Sequence, residues 1–324
     1  MEDIAQDFER QEPEDNSIDH IGNTTPPTNV SKGVDVGRIA DAVNSNLLPS
    51  LLKHLEKRDE TEDSIRIPIS IGIVEVAKHL PEALREVQIS RLLTVLSQIF
   101  RSKSQETRDL TRDALCRIAI ILGPDYLPHI LREMRAALLR GPQLHVLAYV
   151  THALLVHVTT AEHANTFHTL DNCVHDVAHI SAEVIFGESG KDVQAEDFKT
   201  KMREVRASFS KGLDSFAIIA KFVTPSRISG LLIPLRAIMQ ETASVKVMSV
   251  MEDLLRRIAS GLNANKHLVP TELLALCNTL ISQNARFLQV APKPTERKTK
   301  GDVIVQMKRQ VVTETNHFAN NSFR

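Results

Sequence analysis

Histidine is the side chain in this sequence best suited to metal binding or proton transfer. Seven of the thirteen histidines lie between His145 and His179. His175 and His179 are four residues apart on a predicted helix, a spacing that lets two imidazoles bind one metal ion. Asp176 directly follows His175 instead of standing where a third ligand is needed, and there is no H-E-x-x-H motif. We therefore expect histidines on helix faces and interfaces, with no metal and no other cofactor.

Motifs for nucleophilic catalysis and nucleotide binding are also missing from the sequence. The segment 187–192 contains Ser-Gly-Lys, but it lacks the upstream glycine spacing and the preceding strand that a phosphate-binding loop requires. There is no G-x-S-x-G motif, and no cysteine stands in a recognisable catalytic signature. We interpret 187–192 as a turn, and we predict that the chain is not an enzyme and takes no small-molecule substrate.

Basic side chains could bind phosphate groups, because each phosphate they neutralise adds salt-dependent affinity. One cluster lies on a predicted helix and another in a polar tail that has no aromatic residue to stack on bases. The candidate contacts to RNA or to protein partners are Arg132, Arg135, Arg140, Lys293, Arg297, Lys298 and Lys300. A third basic run, between Lys199 and Lys211, is diluted by acidic residues including Glu204, and we expect it to form a solvated helix face.

The elements that would carry these residues repeat along the chain. A leucine-proline step leads into an amphipathic pattern at Leu48 and Pro49, at Leu127 and Pro128, and again at 232–235. The segment 92–96 fills the gap between the first two without a proline. The repeats start roughly 35–45 residues apart, which is near the period of paired-helix solenoids. In such a stack each helix pair buries its apolar face only against its neighbours, so the shape presents surface for docking.

Helical periodicity predicts a series of helices and no strand. The clearest is 104–122, which has one apolar stripe, an i,i+4 pair of Asp113 with Arg117, and an end at Gly123 followed by Asp125 as the next N-cap. The other helices are predicted at 65–80, 126–139, 143–158, 160–186, 194–222, 225–240, 244–262 and 270–289. The fold class is all-α, a HEAT/armadillo-like α-solenoid at 36–290. An acidic segment (1–35) and a basic tail (291–324) are expected to form disordered ends, although the tail could also begin a further repeat.

The composition agrees with a fold built from helices. There is no Trp, and there are only two Tyr and twelve Gly, so aliphatic side chains must fill the core and a turn-rich β fold is disfavoured. Cys116, Cys173 and Cys277 each fall in an apolar helical pattern and are predicted to be buried free thiols in a reducing compartment. The longest apolar stretch is too short to span a bilayer, and the acidic N-terminus does not resemble a signal peptide. We expect an intracellular protein without membrane contact.

Several segments resemble a known family. The segment 105–115 resembles a HEAT repeat, with Arg108 early in the second helix of the pair. The segments 138–147 and 151–155 are similar to the large HEAT-repeat component 20 of the small-subunit processome, the nucleolar assembly that contains the U3 small nucleolar particle. The segments 219–223, 232–235 and 254–262 fit the same family, and the similarity covers about 64–289. Members of that family are far longer, so this chain would correspond to one segment of such a protein.

The resemblance implies a nucleolar scaffold that supports the processing of pre-ribosomal RNA to the small-subunit RNA. Its implied partners are other processome proteins, pre-ribosomal RNA and the U3 particle, and it supplies no catalytic residues. One alternative is a HEAT-repeat transport receptor or adaptor that binds a protein cargo; the segment 141–155 favours the processome family over it. Another alternative is a helical histidine metalloenzyme, which metal analysis of the purified protein would test.

Overall fold

The computed structural model describes residues 36–57, 60–139, 141–187, 202–242 and 244–289. Within these ranges the regular elements are helices and there is no β-strand, so the predicted all-α class is confirmed. In chain order the α-helices are α1 (Val36–Ala42), α2 (Leu48–Leu55), α3 (Asp63–Arg66), α4 (Ile69–Ala77), α5 (Glu82–Ile99), α6 (Gln105–Leu122), α7 (Leu127–Ala137), α8 (Pro142–Val158), α9 (Val174–Phe186), α10 (Arg203–Phe222), α11 (Ile228–Glu241), α12 (Val245–Asn263) and α13 (Pro270–Gln289). A π-helical turn, Val43–Leu47, joins α1 to α2. Short 3₁₀ turns precede four helices: Glu60–Glu62, Pro124–Tyr126, Asp171–Cys173 and Pro225–Arg227.

The helices form two layers. In the first layer α2, α5, α7, α9 and α11 pack each against the next, and in the second layer α4, α6, α8, α10 and α12 do the same. Within a pair, α2 packs on α4, α5 on α6, α7 on α8 and α9 on α10. Because each element buries its apolar stripe against its own pair and the adjacent pairs, this arrangement is an α-solenoid of the HEAT type. The predicted architecture is therefore confirmed.

Helix α6 shows how local sequence sets these elements. Ser104 is extended, and its hydroxyl accepts a hydrogen bond from the backbone N–H of Thr107 at 3.2 Å, which caps the helix start. Leu115 and Ile118 lie on the buried face. The helix ends at Gly123, whose φ of 85° lies in the left-handed region that favours glycine. The predicted helix 104–122 and its glycine stop are both confirmed.

A continuous aliphatic core runs between the layers, from α2 to α12. Its largest fully buried side chains include three phenylalanines, Phe100, Phe167 and Phe216, among many leucines and isoleucines. The prediction that aliphatic side chains fill the core is confirmed. This core supplies most of the driving force for folding, because burial of apolar area is non-directional and cumulative.

Polar groups join the turns at one edge of the stack. Asp171 accepts hydrogen bonds from the backbone N–H of Thr224 at 2.8 Å and from its hydroxyl at 2.6 Å. The buried Asn265 donates to the carbonyl oxygens of Ala220 at 2.8 Å and Val223 at 2.7 Å. These carbonyls belong to the C-terminal end of α10, which leaves them without partners in the helix itself. Turns from successive repeats are therefore tied together at the end of α10.

The predicted helix 160–186 is wrong in its first half. Residues 159–170 form consecutive turns, and α9 begins only at Val174. The hydroxyl of Thr159 donates to the Leu155 carbonyl at 2.7 Å, and that of Thr160 donates to the His157 carbonyl at 3.0 Å. Such side-chain bonds compete with the helical backbone pattern, and the buried Phe167 then anchors the turn to the core.

Three predictions that involve proline or its neighbours also fail. The predicted helix 65–80 is divided at Pro68 into α3 and α4, because proline has no N–H to continue the hydrogen-bond ladder. Pro234 lies inside α11 and does not lead into it; the turn Pro225–Arg227 does. Asp125 lies within the turn Pro124–Tyr126, and no side chain caps the start of α7.

Helices α10 and α12 approach so closely that a methyl group at Gly261 would not fit. An added Cβ would overlap the Ala217 carbonyl oxygen and lie 2.8 Å from the Ala220 Cβ. We expect Gly261→Ala to lower the free energy of unfolding by about 1–3 kcal/mol, as overpacking usually does. Urea unfolding followed by circular dichroism measures this change.

The matched control is Gly72→Ala in α4, where nothing lies within 4 Å of the added Cβ. That variant should be stabilised by about 0.5–1 kcal/mol, since alanine is the better helix former. Equal and small effects of the two substitutions would contradict the close packing of α10 on α12.

Candidate interaction surface on the second helix layer

Charged side chains concentrate where α6, α8 and α10 meet in the second layer. Helix α8 lies between the other two, because it packs against both. His145 of α8 is buried, and its Nδ1 lies 2.7 Å from the hydroxyl oxygen of Ser208 in α10. The N-terminal halves of the three helices therefore form one polar region, although α6 and α10 belong to repeats that are not adjacent.

A buried ion pair spans this region. Arg108 of α6 and Glu204 of α10 form a two-pronged contact, with Nε to Oε1 and Nη2 to Oε2 both at 3.0 Å. Their side chains are only 4% and 2% exposed. Nη1 of Arg108 donates to the carbonyl oxygens of Ser102, Lys103 and Ser104 at 2.9–3.1 Å. One arginine thus fixes the α5–α6 turn and joins α6 to α10.

A second set of charges covers this pair. Asp109 accepts from Arg112 at 2.5 Å and from Nη1 of Arg203 at 3.1 Å. The guanidinium carbons of Arg203 and Arg112 lie 5.0 Å and 5.9 Å from the centre of the Tyr149 ring. Burial alone would raise the pKa of Asp109, but the hydrogen bond from Arg203 and the two positive charges outweigh it and lower the pKa. The carboxylate is therefore ionised and neutralises part of both arginines.

A groove of about 460 Å³ continues from Tyr149 along α6 and α8, and we call it the α6–α8 groove. Its lining residues come from α6, α8 and α10 and from the turn after α8: Arg112, Asp113, Cys116, Arg117, Tyr149, His152, Ala153, Val156, His157, Thr160 and Lys211. Asp113 accepts from Arg112 at 2.8–3.0 Å. The predicted i,i+4 pair of Asp113 with Arg117 is wrong, because the Asp113 carboxylate pairs with the neighbouring Arg112 instead.

His152 is the buried histidine of the α6–α8 groove. Burial and, to a smaller extent, the positive charge of Lys211 lower its pKa to about 4, while Asp214 opposes the shift. The imidazole is therefore neutral in the folded protein near pH 7. Two predicted positions in this area behave differently from the expected solvated face: Lys211 is half-buried, and Arg203 contacts Tyr149 and Asp109.

A larger cleft of about 1060 Å³ lies at the edge formed by the turns within the repeats, and we call it the edge cleft. Three buried side chains lie at its inner end: Arg66 donates to Asp63 and to the Leu55 carbonyl, and Thr107 donates to Asp63. The cations that line it are Lys57, Arg66, Arg101 and Lys103. The acidic residues of the lining are Glu56 and Asp63, so its charged side chains are more basic than acidic.

The structure describes two of the seven residues that the sequence predicts as contacts to RNA or protein partners, Arg132 and Arg135. Arg132 is exposed on α7, where its Nε donates to the Pro128 carbonyl at 3.3 Å. Arg135, also on α7, lies 3.9 Å from Asp176 and 3.3 Å from Nδ1 of His179, so its charge is partly offset. The remaining candidates lie outside the described residues, as do the whole of 1–35 and of 291–324: Arg140, Lys293, Arg297, Lys298 and Lys300.

The histidine pair of the sequence analysis lies in the first layer. The rings of His175 and His179 on α9 have centroids 6.2 Å apart. Asp176 faces Arg135 at 3.9 Å. Within the described ranges no group of three or more His, Cys, Asp or Glu side chains could hold a metal ion.

Two of the three thiols are buried as predicted. Burial raises the pKa of both Cys116 and Cys173 to about 12, so both stay protonated at neutral pH. The prediction is wrong for Cys277, which is exposed on α13. Helix α13 packs through only part of its surface, and neighbouring apolar residues such as Leu274 are also exposed.

The residues that matter most here were not singled out by sequence reasoning. In the sequence Glu204 looks like an acid that dilutes a basic run, and no motif marks Tyr149. Their partners lie far away along the chain; Arg108 and Glu204 are 96 positions apart. The one available signal was Arg108 itself, an arginine early in an otherwise apolar second helix.

The paired layers and their polar surfaces define a class, the HEAT-type α-solenoid. Residues 56–281 match the family model described as the U3 small nucleolar RNA-associated protein 20 domain, UTP20. The chain is 33% identical over 240 residues to "U3 small nucleolar RNA-associated protein 20" of Schizosaccharomyces pombe. The aligned segment covers 74% of this chain and 9% of that protein. It is 30% identical over 262 residues to the protein of the same name in Saccharomyces cerevisiae, covering 81% of this chain and 10% of that one.

The chain therefore belongs to the UTP20 family. It spans about a tenth of the length of the curated relatives it matches. The matched segment begins at the end of α2 and ends within α13, so it contains nearly all of the described solenoid. The family resemblance inferred from the sequence is confirmed. Among the described helices, none combines the length and apolarity that crossing a membrane requires.

Removal of one partner of the buried ion pair should be strongly destabilising. Arg108→Met removes both hydrogen bonds of the pair and leaves the buried Glu204 carboxylate with one described ion-pair partner, Arg203, at 3.7 Å. We expect a loss of about 3–5 kcal/mol in the free energy of unfolding. The double variant Arg108→Met/Glu204→Met removes both charges and should recover much of that loss. Urea unfolding of the wild type, both single variants and the double variant gives the coupling energy. A coupling energy near zero would contradict a direct pair.

His152 should make stability fall in mild acid. Its pKa is about 4 in the folded protein and 6.5 for an ordinary histidine, so the unfolded chain alone binds this proton between those values. Folding stability is therefore lost as the pH falls from 6.5 towards 4. Between pH 7.5 and pH 5 this site should contribute a loss of about 2 kcal/mol.

The variant His152→Gln isolates this effect, because glutamine stays neutral. Urea unfolding at several pH values should show a shallower pH dependence for the variant than for the wild type. Parallel curves for the two proteins would mean that His152 is protonated equally in the folded and unfolded states.

Proposed function

We propose that this chain is a non-catalytic scaffold of the small-subunit processome in the nucleolus. In this role it supports the processing of pre-ribosomal RNA to the small-subunit RNA through contacts with proteins and RNA. The family match over 56–281 supports the proposal most strongly, because it coincides with the solenoid. The relatives carry the name U3 small nucleolar RNA-associated protein. Proposed partners are other processome proteins, pre-ribosomal RNA and the U3 particle.

The architecture suits a scaffold for a physical reason. A two-layer stack exposes a continuous outer surface along each layer and along both edges, and such surfaces serve docking in solenoids. The polar residues described above are used mainly to join elements: the Arg108–Glu204 pair joins α6 to α10, and Asn265 joins the last turns to α10. The edge cleft and the α6–α8 groove are both open to solvent.

Contacts with partners are proposed at the basic positions. Arg132 on α7 is exposed and available, whereas Arg135 must share its charge with Asp176. Arg140 and the basic residues of the tail stay in the proposal on sequence grounds alone: Lys293, Arg297, Lys298 and Lys300.

Affinity purification tests the assignment. The tagged chain is purified from cells under mild conditions, and the material bound to it is identified by mass spectrometry and RNA sequencing. We expect processome proteins, precursor of the small-subunit RNA and U3 RNA to be enriched over the tag alone. The Arg108→Met variant, whose repeats are no longer joined by the buried pair, should lose this enrichment.

A different result would support the adaptor alternative. Recovery of transport factors and a protein cargo, without pre-ribosomal RNA or processome proteins, would overturn the scaffold proposal.

A further inference from the structure

The α6–α8 groove carries positive charge that the described part of the chain does not offset. Arg112 is neutralised by Asp109 and Asp113. Arg117 and Lys211 remain, and neither forms an ion pair with any described carboxylate. Asp214, the acid nearest in sequence to Lys211, is paired with Arg257 of α12. Two cations from α6 and α10 thus face one groove, and neither has an ion-pair partner among the described residues.

The position of Lys211 makes this excess costly to the folded protein. Lys211 is half-buried, and its charge is close enough to suppress the protonation of His152. A partly desolvated cation is stabilised by an opposite charge much more than an exposed one is. An anion between Lys211 and Arg117 would therefore be attracted by both side chains. Its charge would also offset the desolvation cost of the half-buried Lys211.

The rest of the lining narrows the class of anion. Tyr149 and His157 each place a partly exposed ring in the groove, whereas the ring of His152 is buried. Aromatic faces beside cations favour nucleic acid, because bases stack on rings while phosphates meet the charges. An acidic peptide would use the cations and leave the rings unused. Stacking on a side chain requires bases that are not paired and stacked within a duplex, which points to a single strand.

We propose that the α6–α8 groove binds single-stranded RNA, with Arg117 and Lys211 contacting phosphates. The exposed part of the Tyr149 ring, which also contacts Arg203 and Arg112, offers a stacking surface. That the nucleic acid is RNA rests on the proposed function; that the ligand is an anionic strand rests on the groove. The site differs from the basic positions on α7 and in the tail, because it combines aromatic rings with unpaired cations in a concave surface.

Fluorescence anisotropy with the full 324-residue chain and a labelled single-stranded uridine dodecamer tests the site. The double variant Arg117→Ala/Lys211→Ala should bind on the order of tenfold more weakly at moderate salt. Its plot of log affinity against log salt should be shallower by about 1.4, the value for two lost phosphate contacts on a single strand. Tyr149→Leu should lose about fivefold or more, and Tyr149→Phe should retain binding.

Matched controls separate this site from general basicity. Lys246→Ala/Lys266→Ala removes two exposed lysines outside the groove and should leave affinity unchanged. Arg132→Ala/Arg135→Ala tests the rival surface on α7. Thermal unfolding of each variant confirms that the fold is intact.

Three results would overturn the inference. The first is unchanged affinity and salt slope in Arg117→Ala/Lys211→Ala; RNA bound elsewhere, for example at Arg132, would then leave the scaffold proposal standing. The second is a glutamate dodecamer that binds as tightly as RNA and is equally sensitive to the variant, which would assign the groove to acidic peptides. The third is the absence of RNA binding by the wild type, which is distinct from failure of the scaffold proposal as long as processome proteins still co-purify.

Discussion

The buried pair of Arg108 and Glu204 is the interaction on which the geometry of the second layer depends. Apolar burial between helices is non-directional, so it holds the layers together without fixing how far one helix slides along another. A two-pronged contact at 3.0 Å between planar groups allows little sliding. Because it joins α6 to α10 across α8, it also sets how three consecutive repeats are oriented. Repeats in a solenoid otherwise sense only their nearest neighbours.

The cost of this pair explains the residues around it. Removal of two charges from water is expensive, and the pair is tolerated only when its other hydrogen-bonding groups have partners. The carbonyls of 102–104 satisfy the remaining amino group of Arg108. Arg203, Asp109 and Tyr149 then cover the pair with a second, partly exposed set of charges. At the opposite end of α10, Asn265 satisfies two carbonyls, so the helix that is central to the layer is fixed at both ends.

Sequence reasoning predicted the elements whose signals are local. The segment 104–122 was correct because its cap, its apolar stripe and its glycine stop all agree, and the aliphatic composition indicated helix-on-helix packing. The prediction of a helix at 160–186 was wrong in its first half because the hydroxyls of Thr159 and Thr160 donate to carbonyls at the end of α8. The spacing of apolar residues carries no information about such bonds. The site was least predictable. Glu204 and Lys211 look like ordinary surface charges on α10 until the fold places one against Arg108 and the other beside His152.

Glu204 and Lys211 of α10 are both charged side chains partly or fully removed from water, and they differ in how the charge is balanced. Glu204 is fully buried and paired, and it contributes to structure because its charge is neutralised within the chain. Lys211 lies two turns further along the same helix and has no such partner in the described chain. Its positive charge therefore acts on the buried His152 and faces the solvent in the groove. Where a buried charge serves stability alone, it is generally paired within the chain. Buried charges without such a partner concentrate at sites where a ligand supplies the missing interaction. Glu204, paired within the chain, therefore belongs to the framework of this solenoid, and Lys211, unpaired among the described residues, marks the proposed binding surface.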